Sequence, residues 1–113
     1  MAVTVKNIIP RKQAEAVQTT QYTATNCKTA IDKFTVTNTS AGNVSFSCNL
    51  VAFGGTPADG NLVLKARTIA PNETYRCPEL VGQILEAGGF ISSLSSVASA
   101  LTISASGREI TGS

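Results

Sequence analysis

The stretch Ile31-Asp-Lys-Phe-Thr-Val-Thr-Asn-Thr-Ser-Ala-Gly-Asn-Val-Ser-Phe-Ser-Cys-Asn-Leu-Val-Ala-Phe53 alternates apolar with small polar residues on both sides of a turn-forming tetrad, Ser40-Ala-Gly-Asn43. Period-two alternation is the signature of strands with one buried face. The stretch therefore predicts two antiparallel strands joined as a hairpin. Phe34 and Val36, then Val44, Phe46, Cys48, Leu50 and Ala52, make the core face; Thr35, Thr37, Ser45, Ser47 and Asn49 make the other. Val51 and Phe53 put apolar groups on that outer side, so either a second layer covers that end or it is exposed and adhesive.

Outward from this stretch the same signals recur. Toward the N-terminus, Val17 to Thr25 alternates as a strand. Val3 and Val5 alternate ahead of Ile8, Ile9 and Pro10, which suits a short edge strand or an extended N-terminal arm over residues 1–12. Toward the C-terminus, Gly54-Gly-Thr-Pro-Ala-Asp-Gly-Asn61 is a dense loop signal. Leu62 to Ile69 follows as a strand with Leu62, Leu64 and Ala66 on one side, and then Thr74 to Cys77 as a shorter one. Leu80, Val81, Ile84 and Leu85 are spaced for one or two helical turns near residues 79–85, or for a short strand. Phe90 to Leu94 and Leu101 to Ala105 close the series. Seven or eight short strands separated by turns predict an all-β, Ig-like or jelly-roll-like antiparallel sandwich. At 113 residues, one domain spanning 1–113 is expected.

Composition narrows function by exclusion. Apolar residues make up 42% and charged residues 14%, with a net charge of +2 and the cations scattered. Nucleic-acid binding needs several cations on one face, so no nucleic-acid partner is expected. The sequence contains no histidine, which removes His-based triads and Cys/His zinc sites. Cys27, Cys48 and Cys77 form no CxxC pair, and Cys48 falls on the apolar register of its strand as a small hydrophobe would. Their neighbours Lys28 and Arg76 point to opposite strand faces, which argues against an activated thiolate. The carboxylates form no close pair, and neither Gly54-Gly55 nor Gly88-Gly89 has phosphate-loop spacing. No catalytic residue, metal site, cofactor or small-molecule substrate is expected. No window approaches the ~18 apolar residues of a membrane span, and the N-terminus lacks signal-peptide character.

What remains is a weakly charged, hydroxyl-rich surface suited to packing against other protein. The segments expected to make such contacts are Ala2 to Lys12, with Val3, Val5, Ile8, Ile9 and Arg11; the loop Gly54 to Asn61, with Pro57; the outward Val51 and Phe53; and the tail Ser106 to Ser113, with Arg108 and Ile110.

Four motifs, Phe34-Thr-Val-Thr-Asn-Thr-Ser-Ala-Gly-Asn-Val-Ser-Phe-Ser-Cys-Asn-Leu-Val51, Ile69-Ala-Pro-Asn-Glu-Thr-Tyr75, Cys77-Pro-Glu-Leu-Val-Gly-Gln-Ile-Leu85 and Leu101-Thr-Ile-Ser-Ala-Ser-Gly-Arg-Glu-Ile110, carry a resemblance over most of the chain. In these the sequence resembles small virion structural proteins of tailed bacteriophages, and most of all the capsid decoration (cement or staple) proteins of short-tailed phages. The resemblance implies a non-enzymatic role on the outside of a head, with the major capsid protein or another virion protein and further copies of the chain as partners. It implies location in a virion assembled in the host cytoplasm. A tail or neck component and a bacterial Ig-like binding module are the alternatives.

Overall fold

The computed structural model describes residues 2–111 and is an all-β, jelly-roll-like antiparallel sandwich. Its strands are β1 (Ala2–Gln13), β2 (Thr19–Thr23), β3 (Lys28–Asn38), β4 (Val44–Val51), β5 (Leu62–Ile69), β6 (Thr74–Tyr75), β7 (Ile84–Leu85), β8 (Phe90–Ser95) and β9 (Leu101–Thr111). One sheet has the order β1-β9-β3-β6, with β7 also on β3; the other has the order β2-β8-β4-β5. The chain changes sheet at most of its connections, which is why so many short strands share one interior.

The two halves of the Ile31–Phe53 stretch are not partners in a hairpin. β3 lies in one sheet and β4 in the other, so the turn between them is an arch across the sandwich. Both apolar faces point inward from opposite walls, and the Phe34 and Phe46 rings meet across the core with centroids 6.1 Å apart. Alternation specifies the buried face of each strand; it does not specify the neighbour. Asn38 sets the arch. Its fully buried side chain donates to the carbonyls of Gly42 and Ile69, each at 2.8 Å, and accepts from the backbone N–H and hydroxyl of Ser40.

Around the two phenylalanines pack Ile31 and Val36 of β3, Leu101, Ile103 and Ala105 of β9, Cys48 of β4, Ile69 of β5 and Ile91 of β8. Each open side of the sandwich is closed by polar contacts. On one side the Arg67 guanidinium of β5 lies 4.3 Å from the ring centroid of Tyr75 of β6, whose hydroxyl donates to Glu79 at 2.7 Å. On the other, Glu15 accepts from Lys12 of β1 and Gln21 of β2, both at 2.9 Å.

Several expectations are corrected. Ile8 and Ile9 are both buried, because register shifts in the β1–β9 pairing between Lys6 and Ile9 and again before Lys12 turn consecutive side chains inward. Of the two alternatives for the outward apolar pair, Val51 takes the covered one, at 1% exposed, and Phe53 the exposed one. The turn after β4 folds back over Val51, where a Cβ on Gly55 would stand 3.1 Å from Val51 Cγ1. Ala66 is exposed at a left-handed backbone position, φ 47°, opposite a β4 irregularity, so Leu64 and Ile69 carry the core face of β5. No helical turn forms near 79–85. Gly82, at φ +88°, donates instead to the Ile31 carbonyl, and the two-residue strand β7 pairs with Thr29 and Ala30. Among the described residues the sole helical segment is the short 3-10 turn Asp59–Asn61.

Candidate assembly surface

β1, β9 and β3 are 12, 11 and 11 residues long, whereas β2 has 5 and β8 has 6. The first sheet therefore outreaches the second, and it carries three of the seven large exposed apolar side chains among the described residues, Val3, Val5 and Ile84. Register aligns them. Val5 lies opposite Arg108, Arg108 opposite Ala30, and Ala30 opposite Ile84; in the neighbouring row Val3 lies opposite Ile110 and Ile110 opposite Lys28. The intervening row of Thr4, Glu109, Thr29 and Leu85 belongs to the interior side. There Leu85 is in the core and Tyr22, from the opposite sheet, donates its hydroxyl to Glu109. Burial, then the Glu109 carboxylate, holds that phenol neutral well above the ordinary tyrosine range. Lys6 adds an ion pair to the same carboxylate at 3.5 Å.

Val3, Val5 and Ile84 are 51%, 75% and 49% exposed, whereas Ala30 between Arg108 and Ile84 is buried, so the outer row offers water the apolar groups of β1 and β7 with Arg108 between them. Arg108 is fixed within it. Its Nε and Nη2 both reach Asp32, at 3.0 to 3.2 Å, and this fork holds the guanidinium flat along the sheet. Beside Asp32 a hollow of about 410 Å³ is lined by Lys33, Thr35, Arg76 and Val81.

Phe53 stands at the same end and is 81% exposed. Its ring rests on the bare backbone of Gly88, where a Cβ would come 2.6 Å from Phe53 Cδ1 and where φ is +86°. Gly88 is in turn tied to the β2–β3 connection by donating to the Ala24 carbonyl at 2.7 Å. The ring is thus mounted on a fixed turn. Pro57 lies elsewhere, in a loop over the outer face of the second sheet. That loop is pinned by Asn61, which accepts from Ala58 N–H and from the Asn49 amide and donates to the Thr56 carbonyl.

Of the residues expected to make contacts, Val3, Val5, Arg108 and Ile110 share one face, with Phe53 at its end. Arg11 is exposed within the second β1 irregularity, Pro57 is apart, and Ile8, Ile9 and Val51 are buried. The tail Ser106 to Thr111 continues β9, and residues 112–113 lie outside the described residues. Ile84 and Asp32 were missed. Ile84 sits in a strand too short to show alternation, and the pairing of Asp32 with Arg108 spans most of the chain. Among the described residues no three His, Cys, Asp or Glu side chains cluster as metal ligands, and no helix is long and apolar enough to cross a membrane.

No family model matches the chain, and no curated protein matches it. Solved structures do. A chain from the structure of the infectious bursal disease virus Gx strain superposes with a TM-score of 0.56 at 16% identity, covering 98% of this chain and 33% of that one. A chain of the infectious bursal disease virus VP2 subviral particle gives a TM-score of 0.50 at 17% identity, with the same 98% and 33% coverage. The chain thus spans about a third of the length of these neighbours. At such identities the likeness is one of fold, and what the chain shares with these proteins of virus particles is the β-sandwich itself.

Proposed function

We propose that the chain is a non-enzymatic structural protein of a virus particle and, within that class, a decoration protein that cements the outside of a phage head. The observation that carries this reading is the outer row Val5, Arg108, Ala30 and Ile84. Its Val5 and Ile84 are exposed apolar groups flanking Arg108, the row is carried by four strands and an Arg–Asp fork, and Phe53 is exposed on the turn that follows β4. Such a stripe has the composition of an interface centre, apolar and aromatic with one arginine. The fold likeness to chains of infectious bursal disease virus particles supports the same class. Weak contacts suffice in that setting, because each particle offers many equivalent sites and neighbouring copies reinforce one another.

The test is addition of the purified protein to undecorated phage heads. Co-sedimentation and a raised head melting temperature are expected, and both are lost in an Ile84→Ser/Phe53→Ser variant whose own melting is unchanged. Co-sedimentation with isolated tails but not heads would transfer the role to the tail or neck. Binding to neither would remove the virion reading.

A further inference from the structure

β1 is the terminal strand of its sheet, and from Ala2 to Asn7 it is exposed on both faces. Its strand partner there is β9 alone, so its other edge leaves one row of backbone N–H and C=O groups unpaired. Proteins blunt such edges with proline or charge because an open edge templates pairing with another chain. Pro10 and Arg11 guard the far half of β1; Ala2 to Val5 carry no such guard.

The local sequence says what fits. Ala2-Val-Thr-Val-Lys6 is nearly symmetric about Thr4. We propose that this edge pairs with the same edge of a second copy, antiparallel and centred on Thr4, which makes the chain a two-fold dimer. In that register Val3 faces Val5 of the second copy, Thr4 faces its own counterpart, and Lys6 faces Ala2 of the second copy. Apolar lies on apolar, hydroxyl on hydroxyl, and no like charges are opposed, the favourable combinations across an antiparallel pair. Lys6 is already engaged by Glu109 of its own chain.

Pairing makes one continuous sheet in the order β3-β9-β1-β1-β9-β3, and it joins the Val3, Val5 and Ile110 side chains of both copies into one apolar stripe. A two-fold contact uses the edge up and closes, so it yields dimers rather than filaments. The stripe stays on the outer face, so dimerisation and shell binding are compatible, and dimerisation does not depend on what the shell is.

Cysteine scanning tests the register. Directly opposed residues in an antiparallel pair have Cα atoms about 4.5–5.5 Å apart, within disulfide reach, whereas diagonal neighbours are about 7–8 Å apart and outside it. The native thiols are buried and do not compete. Under mild oxidation Thr4→Cys is expected to run as a disulfide-linked dimer and Val3→Cys as a monomer, while an equimolar mixture of Val3→Cys and Val5→Cys cross-links. In sedimentation equilibrium the wild-type chain is expected at twice its monomer mass. Val3→Lys, which acts twice across the two-fold axis, should weaken the dimer about tenfold while leaving thermal melting of the fold in place. A wild-type chain that stays monomeric throughout the concentration range overturns the proposal. So does Thr4→Cys linking no faster than Val3→Cys, whether or not the protein binds heads.

Discussion

The side-chain amide of Asn38 donates to the backbone carbonyl of Ile69 at 2.8 Å, tying the last residue of β3 to the last residue of β5 in the opposite sheet. The backbone of Asn38 extends the tie, since its N–H donates to Glu73 and its carbonyl accepts from Asn72. One buried residue thus fixes both the β3–β4 arch and the β5–β6 turn. Asn38 also begins an Asn-x-Ser/Thr sequence, and its burial places that side chain out of reach of modification in the folded chain.

Asn38→Ala should therefore destabilise the fold by about 2–3 kcal/mol, because it leaves the buried Ile69 carbonyl without a donor. Asn38→Asp should cost more, since it replaces a donor by a carboxylate facing carbonyl oxygens. The measurement is urea unfolding, with a lowered midpoint and an unchanged slope.

Gly107→Ala should be severe. Gly107 is paired on both sides, with Lys6 and with Ile31, and an added Cβ would overlap the Ala30 carbonyl oxygen, a backbone atom that cannot step aside. A loss of about 3 kcal/mol is expected. Gly42→Ala, with nothing within 4 Å of the new methyl, is the control and should stay within about 0.5 kcal/mol of wild type.

Acid should weaken the fold through the side contacts of the sandwich. Hydrogen bonds from Gln21 and then Lys12 hold Glu15 below the ordinary carboxylate range, and the Tyr75 hydroxyl does the same for Glu79. A carboxyl with a depressed folded pKa contributes stability that is present above its unfolded pKa, about 4.3, and is lost as pH falls through the folded value. Glu15→Gln should melt below wild type at neutral pH, and the difference should shrink as pH falls below the unfolded carboxyl value of about 4.3. Thermal midpoints read against pH check this.

Alkali should act through the thiols. Burial pushes Cys48 and Cys77 upward, the latter to about 12, while an unfolded thiol titrates near 8.5. A raised folded pKa contributes stability that is complete below the unfolded value and fades as pH rises toward the folded one. Cys48→Val should flatten the decline in melting temperature above about pH 8.5. A thiol reagent should leave all three native cysteines unmodified and label all three in denaturant, because Cys27, Cys48 and Cys77 are buried.

Much of the fold can be read from alternation alone. Phe34, Val36, Val44, Phe46 and Cys48 all lie where period two puts them, inside the core. What alternation cannot carry is long-range register. The placement of β3 and β4 in different sheets, the burial of consecutive Ile8 and Ile9, and the covering of Val51 each depend on chain remote from the residue or folded back upon it. The 79–85 spacing misleads for a related reason, since Leu80 and Leu85 reach the core from a turn and a two-residue strand at separations that mimic a helix. At the candidate surface Val3 and Val5 are legible as strand alternation, whereas Ile84 and the Arg108–Asp32 fork emerge only once β9 and β7 lie on either side of β3.

The pairing of β1 with β9 has a consequence for when the chain becomes competent. Synthesis delivers β1 first among the strands and β9 last, and β1 has no other neighbour in its sheet. Until residues 101–111 have emerged, the outer stripe is missing its middle row and β1 has nothing to lie against. A chain lacking residues 101–111 therefore has no finished outer stripe, and only chains carrying β9 present one. The last strand of the sandwich to be made is thus the one that finishes its outer stripe.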